Sequence, residues 1–230
     1  MSIADRILYE DNHLLIINKL AGEIVQGDKT GDVPMVDSVK EYLKVTYNKP
    51  GNVFCGLVHR IDRPVSGAVI FAKTSKALAR MNEIVKNREI SKTYLAVVEK
   101  APEIPEQRLV DWLFRNEKAN KTFVSHKEKD GYVKAELSYK VVRQLTNYTL
   151  LEVELYTGRH HQIRAQLAAN GTVIKGDLKY GARRSNRDGS ISLHSFRVVF
   201  EHPVTHKPVA VTAPLSGEMA KMIGADILPE

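Results

Sequence analysis

A chain of 230 residues, 43% hydrophobic and 27% charged, is long enough to bury a real core as one large domain or two small ones. No apolar run approaches the roughly 18 residues of a membrane span, the N-terminus lacks the basic-then-apolar pattern of a signal peptide, and the single cysteine, Cys55, excludes an intramolecular disulfide or a multi-cysteine zinc site. The lone thiol suits a reducing cytoplasm. A net charge of +7 and a pI near 9.3 favour a polyanionic partner, through counterion release and steering.

In chain order, residues 6–9 and 13–18 flank the polar turn Glu10-Asp11-Asn12 and predict a hairpin. Residues 36–46 form a short helix candidate. Residues 67–73 form a strand, and 75–87 a helix with Leu78, Met81 and Val85 on one face and Thr74 as N-cap. Further strands are expected at 92–99, 132–143, 148–156, 192–200 and 209–212. In 148–156, Leu151, Val153 and Leu155 alternate with Glu152 and Glu154, the period of a half-buried strand. A second helix is expected over 159–170, with Gly171 as terminator. Few helices among many strands predict an α+β fold with a mixed, mainly antiparallel sheet. The segments 116–134 and 181–189 read as charged loops, the second carrying Arg183, Arg184 and Arg187; they are solvated surface or RNA contacts.

Three short segments carry chemistry. His59-Arg60-Ile61-Asp62-Arg63-Pro64-Val65-Ser66-Gly67 offers a carboxylate between two arginines, next to a turn-forming Pro-x-x-Gly. Lys92-Thr93-Tyr94 places a phenol in a strand, where a core tyrosine is the plain alternative. Thr157-Gly158-Arg159-His160-His161-Gln162-Ile163-Arg164 is a strand-to-helix junction, in which Gly158 supplies the sharp turn and His160 and Arg164 lie one helical turn apart. In this order the three segments resemble the RluA-type family of RNA pseudouridine synthases. Asn18-Lys19-Leu20-Ala21-Gly22, Gly176-Asp177-Leu178-Lys179-Tyr180-Gly181, Leu193-His194 and His202-Pro203 are similar to further landmarks of that family, so the matches run from about residue 6 to 214. Departures are mild: Ile61 stands for a usual Leu, Val65 for a frequent Thr, and Leu20 for a common Pro, which is expected to loosen the turn after Lys19. His160 occupies a position that the family varies. The resemblance implies a single catalytic domain over residues 1–230 with a central RNA-binding cleft, and the small S4 domain of many relatives is not expected ahead of it.

The resemblance implies an isomerase that breaks the bond from ribose C1′ to N1 of uracil and makes one to C5. Nothing is oxidised or hydrolysed, so no cofactor and no metal is expected. Asp62 would be the catalytic carboxylate, attacking C1′ or removing a ribose proton. Arg164 would be its ion-pair partner, and Tyr94 would stack on the detached base and help remove the C5 proton. Because a uridine cannot react inside a stack, it must be flipped out, with Arg60 filling or holding the vacated site. His59 would support the loop, Lys19 and Arg159 would anchor phosphates or the loop, and Gln162 and Leu193 complete the substrate-binding set. The partner would be a stem-loop of ribosomal or transfer RNA, met by a monomer in the cytoplasm, with no role for a membrane. Two other readings stand beside this one: a catalytically silent RNA-binding protein on the same fold, and a metal-dependent phosphoesterase using His59, Asp62, His160 and His161.

Overall fold

The computed structural model describes residues 1–27 and 31–224. In chain order its strands and helices are β1 (Ile7–Glu10), β2 (Leu14–Lys19), α1 (Met35–Thr46), β3 (Gly56–Leu57), β4 (Ser66–Ala72), α2 (Ser75–Lys86), β5 (Ser91–Val98), β6 (Glu106–Asn116), β7 (Lys121–Ser125), β8 (Val133–Gln144), β9 (Thr149–Leu155), α3 (Gln162–Ala169), β10 (Leu193–Glu201), β11 (Pro208–Thr212) and α4 (Gly217–Ile223). Short 3₁₀ turns lie at Ala4–Arg6 and Leu178–Tyr180. This is the expected α+β class. The chain forms two compact units, one from Met1–Ser91 with Ser195–Pro214, the other from Lys92–His194 with the segment from Leu215.

In the first unit the strand order is β1-β2-β4-β10, with β3 added to β4 and β11 to β10. The hairpin turn is set by Asp11, whose Oδ1 accepts the amides of His13 and Leu14, both at 2.7 Å. Every residue of β2 is buried, so its apolar run reads as continuous and not alternating. Leu14, Ile16, Ala68 and Ile70 pack with Ala77 and Met81 of α2; each large side chain so buried contributes roughly 1.5–3 kcal/mol. Helix α2 begins as expected, Thr74 Oγ1 accepting the Ala77 amide at 3.1 Å. Gly67, at φ +113°, permits the approach of β4 to β10: a Cβ there would stand 2.3 Å from the carbonyl oxygen of Ser195.

The second unit is an antiparallel sheet ordered β5-β9-β8-β6-β7, in which β5 pairs with β9 and β6 with β8 across non-consecutive strands. Strands β3, β6 and β7 and helix α4 are additions to the expected elements, and 116–134 is not one loop: β7 lies inside it and β8 begins at Val133. In β6 the inward series Leu109, Asp111, Leu113 contains a buried carboxylate, while the outward series carries Val110 and Phe114. The two faces therefore lack the polar contrast that announces a strand. Helix α3 packs against β6 and β7 and ends at Gly171 (φ +77°), where the Thr172 amide returns to the Leu167 carbonyl.

Candidate active site

Asp62 lies in the connection from β3 to β4, half-buried at the head of a turn closed by the Val65 amide on its own carbonyl at 3.0 Å. This turn is held by main-chain contacts from a distant segment. The ammonium of Lys19, wholly buried at the end of β2, donates to the carbonyls of Leu20 (2.9 Å), Arg63 (3.1 Å) and Val65 (2.7 Å). The Gly22 amide adds a second bond to Arg63 O at 2.8 Å. Of its two expected roles Lys19 has the loop anchor's geometry. The looseness expected from Leu20 is not found, because its amide donates to Glu23 Oε2 at 2.9 Å, a bond that proline cannot make. Glu23 is itself fixed by the guanidinium of Arg6, at 2.6 and 2.9 Å.

Burial lowers the Lys19 ammonium to about 7, against the upward pull of the Glu23 and Asp62 carboxylates. An unfolded lysine keeps its proton to 10.5, so between about 7 and 10.5 the unfolded chain binds more protons, and the folded state gains stability as pH rises. Lys19→Met is expected to lose that gain. Urea midpoints measured from pH 7 to pH 10 should therefore show the wild type pulling ahead of the variant with pH; parallel curves would refute it.

His59 Nε2 accepts the Ile70 amide of β4 at 3.3 Å. Arg60 is exposed, and Arg63 reaches Asp32 at 2.7 Å in a solvent-facing pair.

In the second unit, Tyr94 is buried on β5 opposite Val153 of β9. Arg164 stands in the first turn of α3, which starts at Gln162 and not at 159. His160 thus precedes the helix and is not one helical turn from Arg164. The tight conformation falls on His161, at φ +50°, and not on Gly158, which is absent from the residues of positive φ. Gln162 is buried and structural: its Oε1 accepts from Thr157 Oγ1 (2.8 Å) and the Arg159 amide (3.0 Å), while its Nε2 donates to Glu136 O and Gln166 Oε1. It ties the end of β9 to the start of the helix. Arg159 is exposed, with Nε 3.4 Å from the Lys134 carbonyl, and Leu193 is buried at the start of β10.

The residue that motif reading left without a role is Asp177. Its carboxylate, 1% exposed, receives Arg164 Nε at 2.7 Å and Nη2 at 2.9 Å, a bidentate buried pair. The ring of Tyr180 lies against the same guanidinium, 5.2 Å from centroid to carbon. Tyr180 accepts the Thr122 amide at 2.8 Å and bonds His161 Nδ1 at 3.0 Å. Burial, reinforced by the Arg164 cation, drives His161 down to about 2, so its imidazole is neutral. His160 stacks on it at 3.7 Å and bonds Thr122 Oγ1 through Nδ1. Among the described residues, no three His, Cys, Asp or Glu side chains are grouped as metal ligands.

Comparison with known proteins places this geometry. A family model described as RNA pseudouridylate synthase matches residues 13–169, a span that includes Asp62, Tyr94 and Arg164. The ribosomal large subunit pseudouridine synthase C of Buchnera aphidicola subsp. Schizaphis graminum is 30% identical over 221 residues, covering 93% of this chain and 68% of that protein. The enzyme of the same name from Vibrio vulnificus is 29% identical over 237 residues, with 96% and 69% covered. Among solved structures, human RNA pseudouridylate synthase domain containing 4 superposes with a TM-score of 0.81 at 19% identity, over 96% of this chain and 92% of its own. Human RNA pseudouridylate synthase domain containing 1 gives 0.70 at 22% identity, over 91% and 82%. These two structures share the fold; the family model and the curated relatives supply the family. The chain belongs to the RNA pseudouridylate synthase family, of the RluA type that its motifs indicate, and is an isomerase.

Proposed function

We propose that this chain, acting as one catalytic domain and as a monomer in the cytoplasm, converts uridine to pseudouridine in a structured ribosomal or transfer RNA, with Asp62 as the nucleophile and no cofactor. The observation that carries the reading is the construction of the Asp62 turn. A buried ammonium and the Gly22 amide spend their hydrogen bonds on the carbonyls around one half-buried carboxylate. A surface ion pair has no need of such fixation; a group that must meet ribose C1′ at a set distance does. In the reaction the C1′–N1 bond breaks as C1′ is captured by Asp62, the uracil turns, C5 bonds to C1′ as the Asp62–C1′ bond breaks and frees the carboxylate, and the C5 proton leaves while N1 gains one. Tyr94 serves as stacking surface and proton acceptor. Arg164, aimed by Asp177, is assigned as the ion-pair partner of Asp62. Arg60, exposed beside the turn, holds the flipped state. A large-subunit ribosomal RNA is favoured by the names of the curated relatives. Among the described residues no helix is long and apolar enough to cross a membrane.

Tritium release from [5-³H]uridine-labelled total RNA, with EDTA present throughout, tests the reading. Release by the protein establishes metal-free C5 chemistry. Salt-sensitive RNA binding without release from ribosomal or transfer RNA would select the silent RNA-binding alternative.

The segment 181–189 is pinned by its backbone and by the buried side chains of Ala182 and Asn186, with its arginines outward. Arg183 N donates to Glu99 Oε1 and Arg187 N to Glu218 Oε1, both at 3.1 Å, while Asn186 is buried against Ser190 and Ser192. Replacing Arg183 and Arg184 by Ala is expected to weaken RNA binding and to flatten its log-log salt dependence by about 0.9 for each phosphate no longer neutralised. Turnover of bound substrate should not change. Unaltered affinity and slope in filter binding would return the segment to plain solvated surface.

A further inference from the structure

Strands β6, β7 and β8 turn an unusual face to solvent. Alternation and register put Val110, Trp112 and Phe114 of β6 on it, with Phe123 of β7 directly opposite Phe114 and Lys134 of β8 opposite Trp112. Phe114 and Phe123 are 40% and 44% exposed, although each has a large ring that burial would favour. Tyr132 joins the row, its ring centroid 5.4 Å from that of Phe114. Cations border these rings: Lys129 lies over Tyr132 at 5.1 Å, and Lys134 shares its main chain with the guanidinium of Arg159. The one carboxylate on the β8 side of the face, Glu136, is engaged by Arg108 at 2.7 Å.

We propose that this face is a stacking platform for unpaired nucleotides of the RNA substrate, beyond the stem-loop that holds the target uridine; the proposal rests on the RNA-modifying function above. Protein-binding patches are depleted in lysine at their centres. Rings interleaved with Lys and Arg are what a single strand requires, a π-surface for each base beside a cation for each phosphate. Open sheet faces with exposed aromatic rings take splayed bases in the same physical way. Arg159, bonded to the Lys134 carbonyl, adds a further cation at the border of the platform.

Trp112 is the only tryptophan of the chain and reports directly on this surface. Titrating the protein with a single-stranded oligouridine of about twelve nucleotides should quench its fluorescence, whereas an RNA duplex of equal length should not. Phe114→Ala with Phe123→Ala should raise the Kd for the oligouridine about tenfold or more, and Phe114→Tyr with Phe123→Tyr should leave it near wild type. Both positions are exposed, so the substitutions leave the fold intact, which melting curves check. Binding of the oligouridine with silent Trp112 fluorescence and an unchanged Kd in the double Ala variant would overturn the platform and leave the face to a protein partner. Asp62→Asn should quench like wild type, so failure of the catalytic assignment and failure of the platform remain distinguishable.

Discussion

Asp62→Asn is expected to reduce tritium release from [5-³H]uridine RNA to less than about a hundredth of wild type, a barrier increase of roughly 3 kcal/mol or more. The amide has nearly the shape of the carboxylate, so the turn it heads, held through main-chain carbonyls, keeps its geometry. Under the proposed mechanism, what is lost is the charge that would capture C1′. RNA affinity should stay within about tenfold, because phosphate contacts elsewhere dominate it. A variant that binds normally but retains more than about a hundredth of the turnover would remove Asp62 from the nucleophile's role. Loss of both binding and turnover would instead point to damage of the turn.

Asp177→Ala should have the largest effect on the fold. It removes the carboxylate that receives two guanidinium hydrogen bonds from Arg164 and leaves that cation in a site where both groups are nearly inaccessible to water. Breaking a buried pair from one side costs about 3–5 kcal/mol, so the urea midpoint should fall far with little change in slope. Activity should fall too, because Arg164 loses the groups that aim it. The combination Arg164→Met with Asp177→Leu separates the two effects. Apolar replacements of similar volume should recover most of the stability, yet the enzyme should remain inactive for want of the cation. If Asp177→Ala melts within about 1 kcal/mol of wild type, the pair does not support this part of the fold.

Legibility from sequence followed how local the cause was. The β1–β2 turn, the Thr74 cap and the Gly171 stop are decided by neighbouring residues, and each is readable. Arg164 is readable as a motif member, but its anchor is not: Asp177 is 13 residues further on and brought back by a 3₁₀ turn, and nothing in the spacing says which acid an arginine will meet. Strand β6 is hidden because Asp111 faces inward, bonded to Gln166 Nε2 and His126 Nδ1, while aromatic rings face outward. A buried acid satisfied by partners 55 and 15 residues away inverts the pattern on which strand reading depends. Nor does the spacing show that Gln162 is buried, with four hydrogen bonds that lie within the protein.

The Lys19 clamp also bears on how this lineage can vary. It grips carbonyl oxygens, which every amino acid carries, and not side chains. Leu20 in place of proline and Val65 in place of threonine leave its acceptors as they were. The turn that presents Asp62 is thus insulated from substitution at its own positions and exposed to substitution at one residue more than forty positions upstream. Drift in the visible motif around Asp62 is therefore a poor guide to loss of activity in related chains. A change at the lysine of the Asn18-Lys19 pair is the more telling mark, even where the aspartate itself is retained.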